Sequence, residues 1–328
     1  MAAAPLTKPL PEPQTVPPRD ASTAARLVRH PLFLLGAAIL LALLFIALFA
    51  GTIGAATPSH LQDGKLTTAP DPGFIYSNGV DELGVPHAPG GGFPLGADTL
   101  GRDVWTRVAY GARLSLTVAL CAMVTSTFIG TLVGLVGGFF GGWVDAALTR
   151  FTEIVASLPT ILLAITLAVV LPDRMPNLWL FGKLGINPDL ANLKLLLAIG
   201  LVTWTSIARA VRGQTLALRE REFIEAARAL GLSSGAILRR HLLPNVVPTV
   251  VVLATLATAQ NILLEAGLSY LGLGKPEQAS WGGLIAEGQA YLLTAPWIVL
   301  APGVAIVAAV TAFNLIGNAL GEVWETRR

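Results

Sequence analysis

Residues 31–53 read PLFLLGAAILLALLFIALFAGTI, a stretch without a single charged side chain. A helix needs about 20 apolar residues to cross the hydrocarbon core of a bilayer, and this stretch is long enough. Arg26, Arg29 and His30 precede it, and it is longer than the apolar region of a signal peptide. The stretch therefore predicts an uncleaved membrane-spanning helix.

Five more apolar stretches follow along the chain. Hydrophobic residues make up 53% of the sequence and charged residues only 13%, which is too few charges to cover a soluble domain of this length. The expected fold class is therefore an all-α, multi-pass membrane protein. Its six predicted spanning helices lie at about 31–53, 114–136, 154–171, 195–207, 246–264 and 298–316.

Several kinds of site are not expected in this chain. The formal net charge is +2, so the composition gives no reason to expect a nucleic-acid partner. No phosphate-binding Gly-x-x-x-x-Gly-Lys-Ser/Thr motif occurs, so the chain is expected to bind neither ATP nor Mg²⁺ and to carry no catalytic residues. The histidines lack the spacing of metal ligands, so no metal site is expected; they are His30, His60, His87 and His241.

The distribution of Lys and Arg predicts the orientation in the membrane. The loop at about 209–245 is rich in Arg, whereas the longer loop at 57–113 is rich in Gly, Pro and Asp. Both termini and loop 209–245 are therefore expected in the cytoplasm, and loop 57–113 outside. The expected organisation is a disordered cytoplasmic tail at 1–28, the first helix and a long periplasmic loop at 29–112, and a transmembrane core at 113–328.

The loop between the fourth and fifth predicted spans reads REFIEAARALG at 221–231 and continues to Asn245. Its composition favours a short helix, and Gly231 stands where a residue in the left-handed region would end that helix. Ser233 or Ser234 can cap a second helix to about Leu242, where Pro244 is expected to break the pattern. The residues predict a helix–glycine–helix elbow, which either docks against another protein or lies on the membrane surface.

Glu225-Ala-Ala-x-x-x-Gly231, followed by an apolar stretch and Leu243-Pro244, resembles the signature loop of binding-protein-dependent ABC import permeases. The resemblance implies a type I importer permease fold in the bacterial inner membrane. It also implies that the loop is a coupling helix, which docks on a separate ATPase that binds ATP and Mg²⁺. The residues implied in coupling are Glu225, Ala226, Ala227, Arg228, Leu230, Gly231, Leu232, Leu243 and Pro244.

The end of the first loop reads PLGADTLGRDVWTRVAYGARLSL, residues 94–116. A turn at Gly96, a cap at Asp98 and a short interfacial helix are expected, with Trp105 and Tyr110 at the lipid headgroups. The segment is similar to the one before the second span in dipeptide, oligopeptide and nickel permeases of the second-subunit type. The residues of this signature are Gly96, Asp98, Gly101, Arg102, Asp103, Gly111 and Arg113.

The resemblance further implies an assembly and a class of cargo. Its partners would be a second homologous permease, two cytoplasmic ATPase subunits, an extracytoplasmic solute-binding protein and membrane lipid. Di- or oligopeptides are the expected cargo, while nickel, glutathione or another small solute stays an alternative. Near the C-terminus the family usually has Asp and Arg, where this chain has Asn318 and Gly321, so a salt bridge made there by other members is in doubt.

Glu265 is the exceptional charged residue within the predicted spans, near one end of the fifth. An ionisable residue inside a membrane segment is a candidate for function, so Glu265 is a possible pathway residue, although it could also lie at the interface. A secondary transporter would need several such groups, and an intramembrane Ser–His enzyme would need a His in the spans. The sequence supplies neither, so both classes are disfavoured.

Overall fold

The computed structural model describes residues 23–54, 60–62, 65–67, 71–171, 190–274 and 278–325. Most of the predicted tail at 1–28, and most of the loop between the third and fourth predicted spans, lies outside these ranges. The helices are α1 (Thr23–Leu27), α2 (Pro31–Leu48), α3 (Ala50–Ile53), α4 (Val104–Phe140), α5 (Gly142–Ser157), α6 (Thr160–Val170), α7 (Leu190–Arg219), α8 (Glu222–Ala229), α9 (Ser234–Ile237), α10 (Leu243–Tyr270), α11 (Trp281–Gly288) and α12 (Trp297–Glu325).

Three smaller elements complete the described chain. A π-helical segment, Leu238–Leu242, joins α9 to α10, and a 3₁₀ turn, Gln289–Tyr291, follows α11. The strands β1 (His60–Gln62) and β2 (Lys65–Thr67) form an antiparallel hairpin in the first loop. The membrane part is helical, as predicted.

Five uninterrupted helical stretches are long and apolar enough to cross a membrane. Four of them contain the second, fourth, fifth and sixth predicted spans, and α2 covers most of the first, which confirms those five spans. Several predicted ends were wrong. The helix α2 already ends at Leu48 and α4 already begins at Val104, whereas α7, α10 and α12 continue to Arg219, Tyr270 and Glu325. The expected short interfacial helix is thus the first part of α4, and Arg209 and Arg212 belong to a helix instead of a loop.

The third predicted span is not continuous. The chain bends by 94° between α5 and α6, at Leu158 and Pro159. Pro159 has no N–H to donate to the preceding turn, and it pushes the residue before it out of the helical region. Leu158 accordingly has φ −82° and ψ 139°. Together α5 and α6 are still long and apolar enough for a sixth membrane segment, so the third predicted span at 154–171 is present as a bent pair and not as one continuous helix.

A stripe of glycines joins α4 to α7. Gly130, Gly134 and Gly138 recur at every fourth residue, so they share one face of α4. A Cβ atom added to them would lie 2.7, 2.6 and 2.9 Å from the carbonyl oxygens of Trp204, Ala208 and Arg212, respectively. These distances leave no room for a side chain. Small residues at this spacing let two membrane helices approach until their backbones touch.

An ion pair holds α5 beside the same end of α7. Arg212 Nε and Nη2 donate to the two carboxylate oxygens of Asp145, at 2.5 and 2.6 Å. Arg219 Nη1 donates to the carbonyl oxygen of Gly138 at 3.1 Å. Two-pronged Arg–carboxylate pairs restrict geometry more than single hydrogen bonds do, so α4, α5 and α7 meet in a defined arrangement.

We predict that Gly134→Leu destabilises the protein, because its side chain would push α4 away from α7. Overpacking of this kind typically costs about 1–3 kcal/mol. Thermal unfolding of the purified protein in nanodiscs should show a lower Tm than for the wild type. The matched control is Gly213→Ala on α7, where an added Cβ has no atom within 4 Å. An unchanged Tm for Gly134→Leu would contradict the close packing.

Candidate functional site

The first half of the predicted elbow is helix α8. Ile224 and Ala227 are buried on one side of α8 and belong to an apolar cluster with Leu135 and Phe139 of α4. The other buried members come from α7, from α9 with the π-helical segment, and from α10; they are Ile207, Val211, Ile237, Leu242, Val246, Val250 and Ala257. The buried side of α8 therefore belongs to one apolar cluster with three long helices.

Gly231 ends α8 as predicted, with a φ of +79°. The N–H of Gly231 donates to the carbonyl oxygen of Arg228 at 2.9 Å, and the N–H of Leu232 donates to that of Ala227 at 3.1 Å. This pair of bonds is a Schellman motif, which satisfies carbonyl groups at the end of a helix and turns the chain sharply. The predicted glycine elbow is present.

The second half of the elbow differs from the prediction beyond its cap. Ser233 caps α9, since its Oγ accepts a hydrogen bond from the N–H of Ala236. Pro244 does not interrupt the helix, because the π-helical segment before it changes the register of the backbone bonds and α10 starts at Leu243. Pro244 stands in the first turn of α10, where a missing N–H costs little. A continuous helical stretch thus runs from Ser234 to Tyr270.

The outward side of the elbow is mixed apolar and charged. Phe223 is 41% exposed and Leu230 is 80% exposed, which is unusual for large apolar side chains. Glu225 and Ala226 are exposed between them. Arg228, on the flank, places its guanidinium 5.7 Å from the centre of the Phe139 ring. We call the exposed set Phe223, Glu225, Ala226 and Leu230 the elbow face.

The remaining coupling residues of the sequence prediction divide between the two sides of the elbow. Arg228, Gly231 and Pro244 are exposed, Leu232 and Leu243 are half-buried, and Ala227 is buried. Ala227 therefore belongs to the buried side of α8, which packs in the apolar cluster, and not to the elbow face.

A cleft of about 800 Å³ lies beside the elbow, between α7, α10 and α12. Arg221, Asn245 and Trp324 contribute to its walls, as does Gly321. A Cβ added to Gly321 would meet nothing closer than the Val252 Cγ1 atom, at 3.8 Å. Asn318 is exposed. Position 321 thus supplies no side chain to the cleft and no partner for a salt bridge.

The signature before α4 lies at the opposite end of that helix from the elbow. Gly96 and Gly101 both have positive φ angles, of 80° and 78°. A Cβ at Gly96 would be 2.5 Å from the Nε1 atom of Trp297, whose N–H donates to the carbonyl oxygen of Ala97 at 2.9 Å. The expected turn at Gly96 is present, and a side chain there would displace Trp297.

Asp98 is fully buried and does not cap a helix, contrary to the sequence prediction. Asp103 is the cap of α4, because its Oδ2 atom accepts hydrogen bonds from the backbone N–H and the hydroxyl of Thr106. Asp98 Oδ1 accepts the N–H groups of Leu100 and Arg102, both at 2.9 Å. The carboxylate of Asp98 thus folds the turn that leads into α4.

Four charged side chains form a cluster at this turn. Arg107 Nη1 donates to Asp98 Oδ2 and to Glu287 Oε2, at 2.5 Å each. Arg102 donates to the same two carboxylates at 2.6 Å, through Nε to Asp98 and Nη2 to Glu287. Arg107 is only 2% exposed. We call Asp98, Arg102, Arg107 and Glu287 the ion-pair cluster; it ties the start of α4 to the end of α11.

Trp281 joins the other end of α11 to α4. Its ring N–H donates to the carbonyl oxygen of Val108 at 3.1 Å, and a Cβ at Gly111 would come within 2.9 Å of its ring. Arg113 lies apart from this contact and donates to the carbonyl oxygens of Ala47 and Leu48 at the end of α2. Within the signature, Arg102 and Gly111 thus contact α11, Arg113 contacts α2, and Gly96 gives room to Trp297 of α12.

Sequence reasoning did not identify Arg107 and Glu287 as partners. They are separated by 180 positions, and no spacing or local pattern relates them. Glu265 was identified as a candidate, but it is 1% exposed and packed between helices, so in this structure it does not line an open cavity. Arg107 and Glu265 are both charged residues that the fold buries, and burial of this kind is visible only in the tertiary structure.

Comparisons with known proteins find a matching family and several relatives. Residues 126–328 match the family described as "Binding-protein-dependent transport system inner membrane component". The dipeptide transport system permease protein DppC of Alkalihalophilus pseudofirmus is 33% identical over a 331-residue alignment, which covers 98% of this chain and 97% of that protein. A Brucella ovis protein whose name describes a peptide permease is 39% identical over 253 residues, 76% of this chain and 78% of that one.

A solved structure is also similar. It is an inward-facing conformation of the MetNI methionine ABC transporter, which has a TM-score of 0.47 and 23% sequence identity and covers 66% of this chain and 95% of that one.

We predict that Arg107→Met strongly destabilises the protein, because it leaves the buried carboxylate of Asp98 with one cation fewer. Removing one partner of a buried pair typically costs about 3–5 kcal/mol. The Tm of the nanodisc-embedded protein measures this. The control is Arg150→Met, which removes an exposed pair with Glu153 and should change the Tm little. Equal effects of the two substitutions would show that the cluster contributes no more than a surface pair.

Proposed function

The chain belongs to the binding-protein-dependent transport-system inner membrane components, and from this membership we propose that it is one of two permease subunits of an ATP-driven peptide importer. It is a multi-pass protein of the bacterial inner membrane. In the proposed assembly, a second homologous permease completes the pathway, two ATPase subunits dock at the elbow, and a solute-binding protein delivers cargo from the other side.

The observation that carries the proposal is the exposed elbow face on a helix whose opposite side is buried in the apolar cluster. Phe223 and Leu230 are exposed apolar side chains, and a protein partner is the kind of surface that would cover them. Glu225 and Arg228 lie beside them and can orient such a partner through charge. The burial of Ile224 and Ala227 beneath supports a docking role over that of a loosely held surface helix.

Movement of the partner would reach the membrane helices through the buried side of α8, at Ile224 and Ala227. ATP is bound and hydrolysed by the ATPase subunits, whose closure displaces α8. Because α8 packs on α4, α7 and α10 together, a displacement of α8 moves these helices as a unit. The Schellman motif at Gly231 keeps the angle between α8 and α9 constant during this movement.

The proposed cargo is a di- or oligopeptide. This assignment comes from the two relatives whose names describe dipeptide or peptide permeases. Selection of cargo in such a system would rest largely on the binding protein. The residues of this chain therefore support its assignment as an importer permease more directly than they support a particular solute.

The cargo can be tested with the reconstituted system. Proteoliposomes that contain both permeases and both ATPase chains should take up a labelled dipeptide only with ATP inside and the binding protein outside. This chain alone should hydrolyse no ATP. Uptake of nickel or glutathione in place of peptides, or ATPase activity of the isolated chain, would refute the proposal.

The elbow provides a second prediction. Gly231→Ala should weaken both uptake and co-purification with the ATPase, because a Cβ at a positive φ costs about 1 kcal/mol and distorts the turn. Its matched control is Gly235→Ala, at a glycine without positive φ and without a neighbour within 4 Å of an added Cβ. Gly235→Ala should retain both properties.

Charge reversal on the elbow face addresses docking separately. Glu225→Lys should reach the membrane at a normal level and yet lose co-purification with the ATPase. The control is Glu153→Lys, at an exposed carboxylate on α5. If Glu225→Lys and Glu153→Lys bind the ATPase equally well, the elbow face is not the docking surface.

The orientation is testable with single cysteines at Ser77 and Ser234, which are both exposed. In a Cys121→Ala background, an impermeant thiol reagent applied to intact spheroplasts should label position 77 and leave position 234 unlabelled. After the membrane is permeabilised, both positions should react. Labelling of position 234 in intact spheroplasts would reverse the proposed topology.

A further inference from the structure

A short ladder of polar side chains lies inside the helix bundle, on the face of α10 that meets α4. Asn261, Glu265 and Ser269 are spaced four residues apart, so they share one face of α10. All three are buried, Glu265 to 1% exposure. On α4, Ser115 is buried as well.

Two oxygen atoms in this ladder lack a hydrogen-bond partner. Glu265 Oε1 accepts from the hydroxyl of Ser269 at 2.8 Å, but Glu265 Oε2 has no donor. Asn261 Nδ2 donates to the carbonyl oxygen of Ala119 at 3.5 Å, but Asn261 Oδ1 accepts nothing. Buried polar atoms are rarely left unpaired, so these two acceptors, one helical turn apart, require an explanation.

Among the residues that the structure describes, no basic side chain faces Glu265 from the elements packed around it. Glu265 is the only charged residue of α10, and α6 has none. On α4, Arg107 is held in the ion-pair cluster and Arg113 by carbonyl groups of α2. Lys194, on α7, does not act on the carboxyl group, and Glu287 of α11 pairs with Arg102 and Arg107. A bare carboxylate here would be buried without a counter-ion, at a large desolvation cost.

We propose that Glu265 is a neutral carboxylic acid whose Oε2–H donates a hydrogen bond to Asn261 Oδ1, directly or through one buried water. One proton removes the uncompensated charge and supplies the missing donor for both unpaired oxygens. Glu265 is then a positioning residue for the transport cycle, and it is neither a charged binding site for cargo nor a proton relay. The proposal holds for whichever solute the importer carries.

The start of α11 packs beside the ladder. The N–H of Trp281, the first residue of α11, donates to Ser115 Oγ of α4 at 3.4 Å. Gly282 packs directly against α10 next to Glu265, since a Cβ there would overlap the carbonyl oxygen of Ala266. The first turn of α11 thus contacts the helix that carries the ladder, and the ion-pair cluster holds its last turn.

The variants Glu265→Gln and Glu265→Ala distinguish a neutral carboxylic acid at position 265 from an ionised carboxylate. The amide of Gln is neutral, has nearly the same shape and keeps a donor for Asn261 Oδ1, so we expect a wild-type Tm and wild-type uptake. Ala removes the partner of the Ser269 hydroxyl and the proposed donor to Asn261 Oδ1, so we expect a Tm lower by several degrees and a large loss of uptake. The control is Thr258→Val on α10, where the lost hydroxyl bonds only to Ala254 of its own helix.

Infrared spectroscopy detects the proton directly. The wild-type complex in nanodiscs at neutral pH should show a protonated-carboxyl stretching band that is missing from Glu265→Gln and retained by Thr258→Val. A spectrum in which wild type and Glu265→Gln do not differ in this band would overturn the proposal. So would a Glu265→Gln variant of normal Tm whose uptake is lost, since a negative charge would then be required. The band and the Tm do not depend on transport, so their outcome is separate from that of the proposed function.

Discussion

Gly130, Gly134 and Gly138 have no side chains, so the backbones of α4 and α7 can come into contact. The apolar cluster beneath the elbow depends on that contact. Leu135 and Phe139 of α4 then reach the same space as Ile207 and Val211 of α7. Because the two helices lie this close, these side chains form one continuous apolar surface. Ile224 and Ala227 of α8 pack on this surface, and the opposite side of α8 is exposed.

The two ends of α4 contact different elements. Close apolar packing and the Arg212–Asp145 ion pair hold the elbow end, where the exposed side of α8 is available to a partner. Hydrogen-bonded charges and buried polar groups hold the other end, where α11 is attached to α4 by Trp281 and by the ion-pair cluster. Such polar contacts are directional, so they add a defined orientation to a short helix whose apolar side chains Trp281 and Leu284 are already buried.

Two prolines show how context decides the effect of a residue. Pro159 breaks the chain into α5 and α6, because Leu158 before it takes an extended conformation. Pro244 leaves the helical course intact, because it follows a π-helical segment and falls in the first turn of α10. The missing N–H is the same in both cases. The difference lies in whether a preceding carbonyl group needed that N–H.

The sequence by itself determined that the chain crosses a membrane, where five of its spans lie, and that Gly231 ends a helix before an elbow. These properties follow from the length of apolar stretches and from local backbone preferences, which neighbouring residues largely set. Only the tertiary structure decided that Asp103 and not Asp98 caps α4, that Arg107 pairs with Glu287, and that Glu265 is enclosed between helices. The physical reason is that burial and ion pairing depend on which distant helices meet, and no local pattern in the chain specifies that.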